Sequence, residues 1–260
     1  MYLPLKRKVS NITSKIPPIA AMAVILLGWE VVSISGIVPS YMLPSPVAVL
    51  TALFGDLPTI LFHAKFTLLE SFYGLLIGIA LAFVFATMMD RFRVMDQAFY
   101  PIMIITQTIP TIAIAPILVL WMGFGMAPKI LTVVLMCFFP VAVSFADGLQ
   151  RVDEEYVHLV RSYGADRWKA YCLVKIPAAL PELFSGLKVA ATYSISGAVV
   201  GEWLGSQKGL GYYLLRVKNS YMLDKVFACV VVIILLSLAM NGLIRVIAMV
   251  SMPYERNKRS

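Results

Sequence analysis

This 260-residue chain offers two histidines, three cysteines and 14 acidic residues for acid–base, nucleophilic or metal chemistry, and their spacing builds none of these. His63 and His158 are remote in sequence, fall outside the long apolar runs, and lack the HExxH spacing that sets two imidazoles on one helix face. Cys137, Cys172 and Cys229 show no paired spacing, so neither a disulfide framework nor a zinc site is expected, and each reads as a soft packing residue. The acids at or near apolar runs, Glu30, Glu70, Asp147 and Glu202, have no spacing that suggests a catalytic dyad. Neither GxSxG nor the phosphate-cradling GxxxxGKS/T occurs. The expectation is a chain with no catalytic centre that holds no metal and no cofactor of its own.

Polar residues inside the apolar runs point to passage or packing. Gln107, Thr108, Thr111, Tyr193, Ser194 and Ser196 could line a hydrated route or bond to a neighbouring helix. Glu202 carries most interest, because a carboxylate near the end of a membrane span is costly unless paired, hydrated or used. One reading lets it reach interfacial water beside Trp203. The other turns it to a translocation path, where it would disfavour an anionic solute and suit the ring nitrogen and amino group of an aminopyrimidine.

The elements that must position these residues follow from composition. Hydrophobic residues make up 60% of the chain and charged ones 14%, against about 25% charged in an average soluble domain, so lipid must be the solvent. Runs long enough to cross a bilayer give six spans, Pro18 to Ile34, Thr67 to Met89, Phe99 to Trp121, Ile130 to Phe145, Phe184 to Gly205 and Val226 to Met249. All should be helical, since a backbone in hydrocarbon must satisfy its own hydrogen bonds and no barrel-like alternation is present. Pro101, Pro110, Pro116 and Pro140 predict kinks.

Basic residues set the orientation. With the N-terminus inside, roughly sixteen Lys and Arg fall on the cytoplasmic side, among them Lys6, Arg7, Lys8, Lys15, Arg91, Arg161, Arg256, Lys258 and Arg259, and about six fall outside. Both termini are therefore expected in the cytoplasm. This distribution accounts for the net charge of +8 without invoking nucleic acid. Glu30 and the lack of a small-residue cleavage site make the first span a retained anchor rather than a signal peptide.

Between the first two spans, Pro39, Pro44, Pro46 and Pro58 restrict the chain to an extended or short-helical excursion on the outer face. The short GFGMAP connection at Gly123 to Pro128 makes the third and fourth spans neighbours. Gly74 and Gly78, and Gly197, Gly201 and Gly205, recur every fourth residue and predict close helix contact.

The polar island from Arg151 to Pro181 interrupts this pattern. Glu154 to Tyr163 has helical composition, Gly164 breaks it, Ala165 to Val174 resumes it, and Pro177 and Pro181 are expected to end it. Tyr156, Tyr163, Trp168 and Tyr171 give it more apolar area than a linker needs, so it should dock a protein partner.

In register, the island resembles the cytoplasmic signature loop of ABC-importer permeases, which reads EAA, three residues, Gly, nine residues, Ile, one residue, Leu-Pro. His158, Leu159 and Val160 occupy the EAA places, followed by Gly164, Val174, and Ile176 with Pro177. LPSP at Leu43 to Pro46, PTIAIAPILVLWMGFG at Pro110 to Gly125, FFP at Phe138 to Pro140 and GLGYYLL at Gly209 to Leu215 resemble the nitrate, sulfonate, taurine and thiamine-precursor branch. Phe184 to Leu215 is most similar to permeases for hydroxymethylpyrimidine-type thiamine precursors, and riboflavin and sulfonate permeases share much of it.

The resemblance implies an all-α membrane protein of about six transmembrane helices with the type I ABC-importer permease fold, in the inner membrane of a prokaryote. It divides the chain into an anchor and outer segment (1–62), a transmembrane core (63–249) with a coupling loop (148–182), and a basic tail (250–260). It also implies a homodimer, an extracytoplasmic binding protein, and two cytoplasmic ATPase subunits that hold ATP and Mg. Coupling would fall to His158, Arg161, Ser162, Tyr163, Gly164, Ala165, Asp166, Val174, Ile176 and Pro177. A stand-alone secondary transporter would instead call for intramembrane charged pairs or unwound helices.

Overall fold

Apolar segments whose backbones must bond internally fold here as helices, and the described residues contain no strands. The computed structural model describes residues 16–39 and 41–252. Lys6, Arg7, Lys8, Lys15, Arg256, Lys258, Arg259 and most of the basic tail lie outside the described residues.

The first helix, α1 (Ile16–Ile34), has no buried residue. The proline-rich excursion becomes the short helix α2 (Pro46–Gly55), where Ser45 Oγ accepts from the Ala48 amide at 3.2 Å and Pro46 takes the first turn. Next come α3 (Leu57–Arg91), α4 (Arg93–Gln107), α5 (Thr111–Met122) and α6 (Ala127–Gln150). The island forms α7 (Glu154–Ser162), α8 (Arg167–Ala170) and a π-helical turn at Tyr171–Lys175. Then follow α9 (Ile176–Glu202), α10 (Leu210–Asn219) and α11 (Leu223–Ser251).

The third predicted span is not one helix. It is the pair α4 and α5, bent by 102° across Thr108–Pro110. Pro110 lacks an amide hydrogen and drives its predecessor toward extended backbone, so the chain turns there. Pro101, Pro116 and Pro140 stay inside continuous helices. The pair nevertheless carries the chain from one end of the bundle to the other. Asp96 on α4 accepts from Gln150 at the end of α6, whereas Lys129 at the start of α6 bonds Glu70 on α3. Counted as one broken crossing, it brings the total to six.

At the centre lies α6, packed against α3 and α9. Gly74 and Gly78 on α3 let it approach, since a Cβ at Gly74 would strike Val133 and one at Gly78 would stand 3.2 Å from Cys137 Cβ. On α9, a Cβ at Gly201 would sit 3.0 Å from Lys129 Cα, and one at Gly186 would sit 2.6 Å from the Pro140 carbonyl. The main core, including Val133, Val141, Phe145, Leu149, Leu187 and Ile195, fills this three-helix contact. A second cluster at the opposite end from the island joins α2, α10 and the starts of α3 and α11 through Val49, Ile60, Leu210, Tyr213 and Cys229. Gly205 departs from the expected repeat. It lies past the end of α9, and a side chain there would collide with the Phe124 ring.

Candidate functional site

The island's local sequence closes one helix and opens the next within four residues. Asp153 caps α7 by accepting from the Glu155 amide at 3.0 Å, and Glu154 and Glu155 stand in the first turn, where the helix dipole favours negative charge. At the other end, Gly164 has a left-handed φ of +87°. Its amide donates to the Arg161 carbonyl at 3.0 Å and the Ala165 amide donates to Val160 at 3.3 Å, the paired bonds of a glycine-terminated C-cap. Asp166 then caps α8, accepting from the Lys169 amide at 2.7 Å. His158, Arg161, Ser162, Tyr163, Gly164, Ala165 and Asp166 therefore share one doubly capped elbow. Ser162 Oγ donates back to Leu159 at 2.7 Å.

Val174, Ile176 and Pro177 lie apart from this tip, half-buried where the island enters the bundle. The expected stop at Pro177 and Pro181 does not occur. Pro177 sits in the first turn of α9 and Pro181 inside it. The wider π turn just before Ile176 lets the proline-containing run proceed without a break, since the missing amide and the ring's bulk fall where the hydrogen-bond ladder is already displaced. The helical run from Arg167 to Glu202 spans 36 residues. At 1.5 Å per residue, that is roughly 50 Å from the elbow to the far end.

The elbow is tied to the span beside it. Lys175 Nζ reaches both oxygens of Asp90 on α3, at 2.7 and 2.9 Å, with the Asp90 side chain only 5% exposed. A Cβ on Gly148 of α6 would stand 2.8 Å from Glu182 Cβ, so α6 and α9 are in close contact at the island's base.

At the opposite end, a polar cluster is buried where α3, α6, α9 and α10 meet. Glu202 is 1% exposed. Its Oε1 accepts from Thr67 Oγ1 at 2.7 Å and its Oε2 from the Gly211 amide at 2.6 Å. Thr67 Oγ1 in turn accepts from the Leu210 amide at 2.8 Å, and His63 Nδ1 accepts from the Gly209 amide at 3.2 Å. Lys129 pairs with Glu70 at 2.7 Å, and Glu70 adjoins Glu202.

This geometry corrects three expectations. Glu202 faces neither interfacial water nor a path, because its Oε1 is taken by Thr67 on α3 and its Oε2 by the Gly211 amide in the first turn of α10. His63 lies within α3 and not outside the spans. Glu70 and Glu202 are neighbours despite their separation in sequence, with Lys129 paired to Glu70. Ser194 is also taken up in packing, where its Oγ accepts from Ser71 Oγ on α3 at 2.8 Å. Gln107, Thr108, Tyr193 and Ser196 are exposed and Thr111 is half-buried. Gly209, Thr67 and Lys129 were missed by sequence reading, and only the glycine pair in GLGYY hinted at a constrained turn.

Outside this site, Asp56 between α2 and α3 accepts from Tyr213 Oη and, at 3.1 Å, from Lys225 Nζ. Burial alone would raise its pKa, but the hydrogen bonds from Tyr213, Thr59 and Lys225 outweigh that and hold the carboxyl below its ordinary value.

The described residues thus form a helical bundle of five spans and one broken crossing, with a buried polar cluster at one end and an exposed, doubly capped elbow at the other. The chain belongs to the family described as binding-protein-dependent transport system inner membrane component, which matches residues 74–249. It is 37% identical over 223 residues to a probable ABC transporter permease protein of Haemophilus influenzae, covering 86% of this chain and 91% of that one. It is 32% identical over 243 residues to the formylaminopyrimidine transport permease protein ThiX of Halalkalibacterium halodurans, covering 93% and 96%. The fold is similar to that of a solved amino acid ABC transporter, with a TM-score of 0.59 and 16% identity over 77% of this chain and 95% of that one. As a family member, the chain is a non-catalytic, multi-pass permease subunit.

Proposed function

We propose that two copies of this chain form the conduit of an importer that takes solute from an extracytoplasmic binding protein and is driven by two cytoplasmic ATPase subunits, which carry ATP and Mg, seated on the 153–166 elbow. The observation that carries this reading is the elbow itself. Its two helices are closed by caps on both sides of Gly164, and its continuation is clamped to α3 by Lys175 and Asp90. A displacement applied there is passed on rather than absorbed.

The partner-facing side of α7 is supplied by Tyr156, Leu159 and Tyr163, exposed by 62%, 53% and 85%. These residues fall on one helical face, as an i, i+3, i+7 series does. The island faces the cytoplasm in this reading, with both termini on its side. The exposed residues Gln107, Thr108, Tyr193 and Ser196, with Thr111, are the candidates for a route completed by the second copy. The buried Lys129–Glu70 pair and the broken α4–α5 crossing are features expected of an ion-coupled transporter, but here the pair clamps helices and the family membership favours ATP-driven import.

The solute proposed is a pyrimidine precursor of thiamine. Support comes from the similarity of Phe184 to Leu215 to such permeases and from a full-length relative that bears a formylaminopyrimidine name. Glu202, being occupied, lends nothing to this choice. The test is ATP hydrolysis by the complex of chain, ATPase and binding protein in lipid, stimulated by a panel of aminopyrimidines, riboflavin, taurine, alkyl sulfonates and nitrate. Stimulation by the pyrimidine alone is expected, and stimulation by a sulfonate or flavin instead would replace the solute while leaving the drive intact.

A further inference from the structure

The inner side of the island, away from the face proposed for the ATPase, borders an open cavity of about 600 Å³ against the end of α3. On α7, Val157 and Arg161 line it, one turn apart, while Tyr156, Leu159 and Tyr163 lie on the opposite side of the same helix. Arg91 at the end of α3 and Phe92 just beyond it close one side, and Arg167, Trp168 and Tyr171 close another from the start of the long helical run.

Its charge is one-sided. The acid on its wall, Asp90, is held by Lys175 through both oxygens, whereas Arg91, Arg161 and Arg167 pair with no carboxylate among the described residues. Three unneutralised guanidinium groups around one hollow make it attractive to an anion, and their planar forks suit phosphate oxygens. Trp168 and Tyr171 stack on one wall with centroids 6.4 Å apart and planes at 12°. The Tyr171 hydroxyl is buried beside Asp90 without a well-formed hydrogen bond. Arg91 follows the apolar run that ends at Met89 in a helix long and apolar enough to cross a membrane, which suits a hollow at the level of lipid headgroups, where Trp and Tyr are enriched. Phe92, 54% exposed, and Met88 offer apolar surface along which acyl chains can leave.

We propose that this cavity binds the headgroup of an anionic phospholipid, its phosphodiester held by Arg91, Arg161 and Arg167. A lipid seated there bridges α3 to α7 and α8 and stiffens the elbow from behind. The binding stands on the cavity alone, and the stiffening rests on the proposed coupling role.

The test uses the full chain purified in detergent and measures retained lipid by native mass spectrometry against phosphatidylglycerol and phosphatidylcholine. Wild type is expected to retain phosphatidylglycerol selectively. Arg91→Gln or Arg167→Gln should weaken that retention about fivefold each, and the double variant about thirtyfold. The double Lys variant should recover most of it. Equal retention of both lipids, or no change in the Gln variants, would overturn the proposal, as would displacement of the lipid by millimolar inorganic phosphate, which would make the site one for free anions. Cross-linking from Trp168→Cys to an acidic segment of the ATPase would also overturn it in favour of a protein occupant. In nanodiscs, selective retention without any effect of phosphatidylglycerol on ATP hydrolysis would leave the site standing and remove only the link to coupling.

Discussion

A carboxyl as deeply buried as Glu202 must have both oxygens accounted for nearby, and Thr67 and the Gly211 amide do so, while Lys129 pairs with its neighbour Glu70. Glu202→Ala would leave the Gly211 amide and the Thr67 hydroxyl without that acceptor, at about 1–3 kcal/mol each, and a fall in the thermal midpoint of the purified chain is the expected result. An unchanged midpoint with lost solute affinity would restore the path reading. Gly209 is under tighter constraint, for its φ is +107° and any Cβ would collide with the Glu202 carboxylate. Gly209→Ala should therefore cost more than the typical 1–3 kcal/mol of overpacking, read as loss of folded protein on size-exclusion chromatography. Asp56 gives a pH signature. Its carboxyl is depressed, so its contribution to stability is complete above the ordinary value of 3.8 and is lost as pH falls through the lower folded value. Thermal midpoints measured from pH 6 to 3 should fall less steeply in Asp56→Asn than in the wild type.

Elements differ in how plainly they could be read. The short helix after LPSP and the helix–glycine–helix island were legible because their signals are local: Ser45 before Pro46, Asp153 and Asp166 before their helices, Gly164 after Ser162. The continuity of α8 into α9 was not, because a proline normally reads as a stop and nothing local announces the π turn that accommodates Pro177. That continuity makes the Lys175–Asp90 pair the point where the run is anchored to α3. Lys175→Ala strands a largely buried carboxylate, at a cost of about 3 kcal/mol, and should loosen the island before the bundle melts. Hydrogen exchange in 154–175 should rise selectively, and the charge-swapped pair Asp90→Lys with Lys175→Asp should restore part of the protection. Uniform exchange across all helices would show that the pair merely supports the fold.

On the scale of the whole molecule, hydropathy was enough to count six crossings and to assign them to helices, since a backbone in lipid must bond internally and these runs lack the alternation of barrel strands. The 102° break within the third crossing and the meeting of Glu70, Lys129 and Glu202 were beyond it, because both depend on which helices pack together. Small residues on α3 and α9 set those neighbours around α6, and the large exposed apolar surface that remains suits lipid and a second copy. What the molecule is built to do, in this account, is carry motion from the elbow along the roughly 50 Å helical run to the far end. The most direct measurement is solute-stimulated ATP hydrolysis by the lipid-reconstituted complex carrying Gly164→Val. A Cβ there meets open space, so the substitution strains only the left-handed backbone of the cap. The account predicts an assembled complex whose hydrolysis no longer responds to solute, and stimulation at the wild-type level would contradict it.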